Sequence, residues 1–191
     1  MRRTMLLVAV LAAAAGAPAI AAGEGEVQLT VYVGAQNLHI DDEDMVGDER
    51  LQRNGVLLGA AAAYRFPHGF VLEAAVVHGA YTDFIFRNLF ERSFSNYQYS
   101  GAVGWQFDRN RWRITPKVGV ARSKLTSDGS LLFPAEDEEG GQKLYATVPF
   151  VEAAVVHRLG RNFALGAFLR ETFEDYGHTR SWGATAQFYF D

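Results

Sequence analysis

Long stretches of this chain alternate between apolar and polar residues with a period of two, and that pattern excludes most folds. Val27, Leu29, Val31, Val33 and Ala35 share one parity, while Gln28, Thr30, Tyr32, Gly34 and Gln36 share the other. A helix would scatter these residues round a cylinder, whereas a strand places them on two opposite faces. Over 95–108, Tyr97, Tyr99, Val103, Trp105 and Phe107 oppose Asn96, Gln98, Ser100, Gly104 and Gln106. The closing stretch sets Trp182, Ala184, Ala186, Phe188 and Phe190 against Ser181, Gly183, Thr185, Gln187 and Tyr189.

The pattern predicts eight strands, at 26–36, 53–66, 70–82, 95–108, 112–124, 143–158, 163–174 and 180–190. Strands of soluble proteins usually run about 5–6 residues, and a tilted strand needs about 9–11 to cross hydrocarbon. Strand length therefore favours a membrane. Three connections are tight turns made of turn residues: Pro67-His68-Gly69, Arg109-Asn110-Arg111 and Gly160-Arg161-Asn162. The others, at 37–52, 83–94, 125–142 and 175–179, are polar and mostly longer. Short turns on one side and long loops on the other is the layout of outer-membrane barrels, with the turns in the periplasm. The expected fold is all-β, an eight-stranded antiparallel transmembrane barrel with up-and-down meander topology.

The N-terminus reads as a routing label. Arg2 and Arg3 precede an apolar run over 5–15, and Ala19 and Ala21 stand at the spacing that signal peptidase reads. Residues 1–22 are thus expected to be a signal peptide, cut after Ala21 or Ala22, with 23–191 forming the barrel domain. Removing the two arginines leaves 16 basic residues against 22 acidic, so the net charge moves from −4 to −6. That balance, with no basic stripe, argues against a nucleic-acid partner. The absence of cysteine excludes lipoprotein acylation, disulfides and thiol catalysis.

Charges assign the faces. Arg65, Glu73, Arg113, Lys117, Glu152 and Arg170 lie mid-strand, where hydrocarbon would penalise Arg or Lys by about 2–4 kcal/mol. Leu58, Tyr64, Leu72, Val76, Trp112, Ile114, Val118, Val151, Val155, Leu165 and Leu169 occupy the opposite parity. The charged parity is the lumen side. It is also rich in small residues, including Gly59, Ala61, Ala63, Ala75, Gly79, Ala102, Gly104, Gly119, Ala121 and Gly166. Side chains just fill an eight-stranded barrel, so the six charged residues are predicted to form a buried structural ion network. Charge burial requires pairing; cations in excess of Glu73 and Glu152 would need water or carbonyl partners. Tyr64, Phe66, Phe70, Phe107, Trp112, Phe163, Phe188 and Phe190 cluster at the periplasmic strand ends, as an interfacial girdle would.

The whole pattern resembles the OmpA/OmpX-type family of small outer-membrane β-barrels. The last strand, with Trp182, Phe188 and Phe190, is similar to the C-terminal assembly signal of such proteins, although Asp191 follows the final aromatic. The resemblance implies an outer-membrane location, escort by periplasmic chaperones and insertion by the barrel-assembly machinery. Its implied surroundings are outer-membrane lipid and lipopolysaccharide, with a monomer expected. The family's roles are diverse, so the fold does not fix the function. An envelope-integrity or surface-contact role leads here; the alternatives are a lipid A-modifying enzyme and a narrow pore.

No catalytic residue, cofactor or metal is assigned. Lipid A deacylases resemble this architecture but carry a His and a Ser two residues apart on an outward strand. None of His39, His68, His78, His157 and His178 has a Ser at that spacing. Lipid A palmitoyltransferases place an amphipathic helix before the first strand, and the few residues between the cleavage site and Val27 cannot form one. Glu171, Glu174, Asp175, His178 and Ser181 contain the ingredients of a triad, but loop ends commonly have this composition. Two connections are acidic, with Asp41-Asp42-Glu43-Asp44 and Asp48-Glu49 in one and Glu136-Asp137-Glu138-Glu139 in another. Asp42, Asp44, Gly47 and Asp48 echo a calcium loop, which Arg53 at its twelfth position breaks. These acids read as solvated loops, with loose divalent-cation bridging to lipopolysaccharide phosphates as the functional alternative.

Overall fold

The computed structural model describes residues 25–40, 51–81, 93–128, 143–174 and 177–190. The expected signal peptide at 1–22, the acidic segments, Asp175 and Asp191 lie outside the described residues. The strands are β1 (Glu26–Ile40), β2 (Leu51–Arg65), β3 (Phe70–Tyr81), β4 (Ser93–Trp105), β5 (Phe107–Arg109), β6 (Trp112–Asp128), β7 (Lys143–Arg158), β8 (Phe163–Glu174) and β9 (Gly177–Phe190). Each pairs antiparallel with its neighbours, β1 closes on β9, and β4 pairs with β6. The sheet is a closed up-and-down barrel.

Nine segments make eight staves because β4 and β5 are one stave with a gap. Gly104 faces Lys117 and Phe107 faces Ile114 in an unbroken register. Trp105 and Gln106, unpaired with β6, stand opposite Pro116 and Thr115, and Pro116 has no N–H to offer the ladder. The Gln106 N–H bonds to the Gly69 carbonyl on the β3 side, at 2.7 Å.

The registers fix the shape of the barrel. A row started at Lys117 passes through Glu152, Arg170, Ser181, Gln36, Gly55, Tyr81 and Phe94. It returns to β6 at Ser127, ten residues above its start. With eight staves, that stagger tilts the strands by about 40°. Rows therefore climb as they circle the barrel, and residues far apart in register meet at one height.

Local chemistry makes the turns tight. Gly69 takes a positive φ of 91° in the β2–β3 turn, and Asn110 takes 58° in the two-residue loop between β5 and β6. Gly and Asn tolerate that region best. On the long-connection side the ladders run past the predicted ends: β1 reaches Ile40, β2 begins at Leu51 and β6 reaches Asp128. There Asn37 donates to Asn54 at 2.7 Å. The outward face is polar at this end, so alternation disappears while backbone pairing continues.

The barrel is inside-out relative to a soluble protein. Val33, Leu58, Leu72, Ile114, Val118, Val151, Leu165 and Leu169 are exposed. Glu73, Arg113, Lys117, Glu152 and Arg170 are buried, together with Gln28, Thr30, Gln98, Thr115 and Thr172. On β6 the outward residues from Trp112 to Val120 are all apolar, which spans about 20 Å of height at this tilt. That is close to the roughly 25 Å apolar band of a membrane barrel. Phe66, Phe70, Phe107, Trp112, Phe188 and Phe190 are exposed around the short-turn rim. Tyr64 and Phe163 join them through ring contacts with Phe66 at 4.8 Å and Phe188 at 5.1 Å.

Candidate functional site

The small inward residues leave space that long polar side chains cross, and the described part of the lumen holds two ionic layers. The central layer brings together Glu73 from β3, Lys117 from β6, Glu152 from β7 and Arg170 from β8. Lys117 Nζ lies 2.8 Å from Glu73 Oε2 and 2.5 Å from Glu152 Oε1. It also donates to the Tyr32 hydroxyl at 3.1 Å, so all three ammonium protons have acceptors. Arg170 holds the other oxygen of Glu152, through Nε at 2.7 Å and Nη2 at 2.5 Å. The guanidinium sits 4.6 Å above the Phe150 ring. Tyr32 packs edge-on against Phe168 at 5.0 Å. Two cations meet two anions, so the layer is formally neutral.

Arg65 and Arg113 do not join this layer. They belong to a second layer near the short-turn rim, with partners the sequence reading did not consider. Arg113 grips both oxygens of Glu26, at 2.7 and 3.1 Å, and its Nε lies 3.1 Å from Asp108. Arg65 reaches Asp108 at 2.9 Å. Gln28 bridges Glu26 and Gln106 at 2.8 and 2.9 Å, and Gln106 donates to Asp108 at 3.2 Å. The Arg113 guanidinium covers the Tyr189 ring at 4.3 Å. This layer too is formally neutral. Counting mid-strand charges alone left a surplus of cations; Glu26 and Asp108, at strand ends, remove it.

No protein-family model matches the chain, and no curated protein matches it by sequence. Solved structures do match. The Neisserial surface protein NspA superposes with a TM-score of 0.56 at 14% identity, over 86% of this chain and 96% of that one. Ail, the attachment invasion locus protein of Yersinia pestis, gives 0.56 at 15% identity, over 87% and 99%. The N-terminal barrel domain of Pseudomonas aeruginosa OprF gives 0.53 at 14%, over 86% and 97%. This chain has the small outer-membrane barrel fold.

In this barrel the loop-end group considered for catalysis is split between faces. Glu171 points outward and pairs with Arg180 at 2.7 Å, and His178 is also outward, its ring 5.0 Å from that of His39. Glu174 and Ser181 are buried in the lumen, where Glu174 accepts from Thr179 at 3.0 Å. A triad needs its members on one side of the sheet, so this set does not assemble. His78 stacks on Tyr97 at 4.1 Å, and His157 meets Trp112 edge-on at 4.8 Å. Trp182, Phe188 and Phe190 are exposed on the outer face of β9.

The sequence reading missed Tyr32, Phe150 and Phe168 as lumen fillers. Parity holds the signal, because Phe150 shares its face with Glu152 and Phe168 shares its face with Arg170. An inward aromatic is easily taken for wall.

Proposed function

We propose that this protein is a non-enzymatic outer-membrane barrel with a sealed lumen, serving envelope integrity or surface contact through its long connections. The observation that carries the reading is the pair of neutral ionic layers crossing the interior, one centred on Glu152 and one on Arg113. A permanent water-filled channel would leave such charges hydrated and mobile. Here all are partnered and the central layer is buried, with Lys117 and Glu152 each under 5% exposed. Export by the N-terminal signal, cleaved near Ala22, and assembly through Trp182, Phe188 and Phe190 complete the proposal. Lipopolysaccharide is its outer surrounding.

Two measurements on purified, refolded protein test this. Unboiled samples are expected to migrate differently from boiled ones on denaturing gels, because a closed barrel resists unfolding by detergent alone. Planar-bilayer recordings are expected to show no stepwise conductance. Identical migration would remove the membrane-barrel reading; regular single-channel steps would replace the sealed barrel with a pore.

A further inference from the structure

The outer wall over β4, β6 and β7 differs from the rest of the belt. A groove of about 610 Å³ runs over Pro116 and Ala153, between Trp105 and Phe107 on one side and Val151 and Leu169 on the other. It exists because two small outward residues lie side by side, register partners on β6 and β7. Along the same outward face of β6, above Val118 and Val120, stand Arg122 and Lys124. Arg122 donates to Thr147 at 3.0 Å, and both cations lie 5.8 Å from the centre of the Tyr145 ring. Arg122 stands six positions beyond Pro116, about 20 Å along the strand.

We propose that this wall binds one phosphorylated acyl lipid of the outer leaflet, its chain in the groove over Pro116 and its phosphate held by Arg122 and Lys124. The inference rests on the outer-membrane reading above, with the long connections facing outward. Charge at the upper rim is asymmetric in a way that favours the site. The outward Arg180, three staves away on β9, is neutralised by Glu171 of β8, whose side chain lines the far edge of the groove. Among the described residues, Arg122 and Lys124 have a hydroxyl and an aromatic ring beside them and no carboxylate. Near the patch, His78 is stacked on Tyr97 and adds no anion. An apolar slot capped by two cations and tyrosines matches an amphiphile with an anionic head. Tyrosine suits that depth, where its ring meets lipid and its hydroxyl meets water.

Native mass spectrometry of the intact mature protein in detergent tests the site, using lipid A bisphosphate, its phosphate-free analogue and inorganic phosphate as probes. Unboiled gel migration is checked for every variant, so loss of the barrel is seen separately from loss of the site. One retained bisphosphate lipid per barrel is expected, with at least tenfold less of the phosphate-free analogue and no effect of inorganic phosphate. Arg122→Gln and Lys124→Gln should each lower retention about fivefold, the worth of one basic residue at an anionic surface. Ala153→Phe, which fills the groove from the lipid side, should lower it as well. Equal retention of both lipids, or retention unchanged in Ala153→Phe, would overturn the proposal. So would loss of retention in EDTA. That result would mean divalent ions at acidic residues such as Glu136 and Glu138 hold the phosphate.

Discussion

Lys117 and Glu152 are direct register partners across the β6–β7 ladder, and their charged ends meet 2.5 Å apart in the centre of the lumen. Glu152 uses its second oxygen for Arg170. It is therefore the shared anion of the central layer, while Glu73 serves Lys117 and lies near Tyr32. Glu152→Gln strips two buried cations of their common partner. Removing one member of a buried pair costs about 3–5 kcal/mol, and this change should fall at the upper end. Glu73→Gln leaves Lys117 with Glu152 and should cost less. Urea unfolding in lipid vesicles, followed by the boiled-versus-unboiled gel shift, gives both values; a larger loss for Glu73→Gln would contradict Glu152 as the hub.

The two ionic layers should act independently. Arg113 lies four residues below Lys117 on β6, about 13 Å along the strand, and the ion pairs of the two layers share no residue. Sites that far apart with no shared partner usually add to within about 0.5 kcal/mol. The double variant Arg113→Met/Glu152→Gln should therefore lose the sum of the single losses. Arg113→Met alone should cost less than Glu152→Gln, because Asp108 is 37% exposed and water screens part of that layer. A coupling above about 1 kcal/mol would mean the layers form one network.

How much of this was visible beforehand follows from what parity can and cannot say. Alternation assigns a residue to a face because lipid outside and a packed lumen inside demand opposite chemistry. Lys117 and Val118 could thus be placed from the sequence alone. Parity carries no height. Glu26 and Arg113 are 87 positions apart in sequence and meet across the lumen. Their meeting depends on the register of every intervening stave and on the ten-residue stagger. Strand ends such as Asn37 and Asn54 were hidden for a different reason: above the lipid layer both faces can be polar while the ladder continues. The break in the ladder beside Trp105 was legible in principle, since Pro116 can be read directly and lacks a ladder donor.

Two glycines of the closing seam should be intolerant where a third is not. Gly34 and Gly183 face each other between β1 and β9, and a Cβ on Gly183 would lie 2.4 Å from Gly34 Cα and 2.2 Å from the Val33 carbonyl oxygen. Both obstacles are backbone, so Gly183→Val must push the first and last staves apart, at about 1–3 kcal/mol by analogy with overpacked cores. At Gly101 a Cβ meets nothing within 4 Å. Gly101→Ala should be neutral or raise stability by up to about 1 kcal/mol, since alanine restricts the unfolded chain. Unfolding midpoints of the two variants check the contrast, and a destabilised Gly101→Ala would mean that position is packed against something.

Depth along β6 and β7 offers the last test, and it probes the sidedness of the barrel directly. Val118 is outward and 56% exposed, one residue from the buried Lys117. In water, Val118→Arg on an exposed strand position would be nearly neutral. In hydrocarbon near the midplane it should cost about 2–4 kcal/mol. The outward Tyr145 lies beside Arg122 and Lys124 at the upper rim, where the same change should cost only about 0–1 kcal/mol. Unfolding of Val118→Arg and Tyr145→Arg in vesicles should therefore differ by at least 1 kcal/mol, in that order. Equal costs would mean that water reaches Val118, and the exposed apolar wall would then have to be covered by protein instead of lipid.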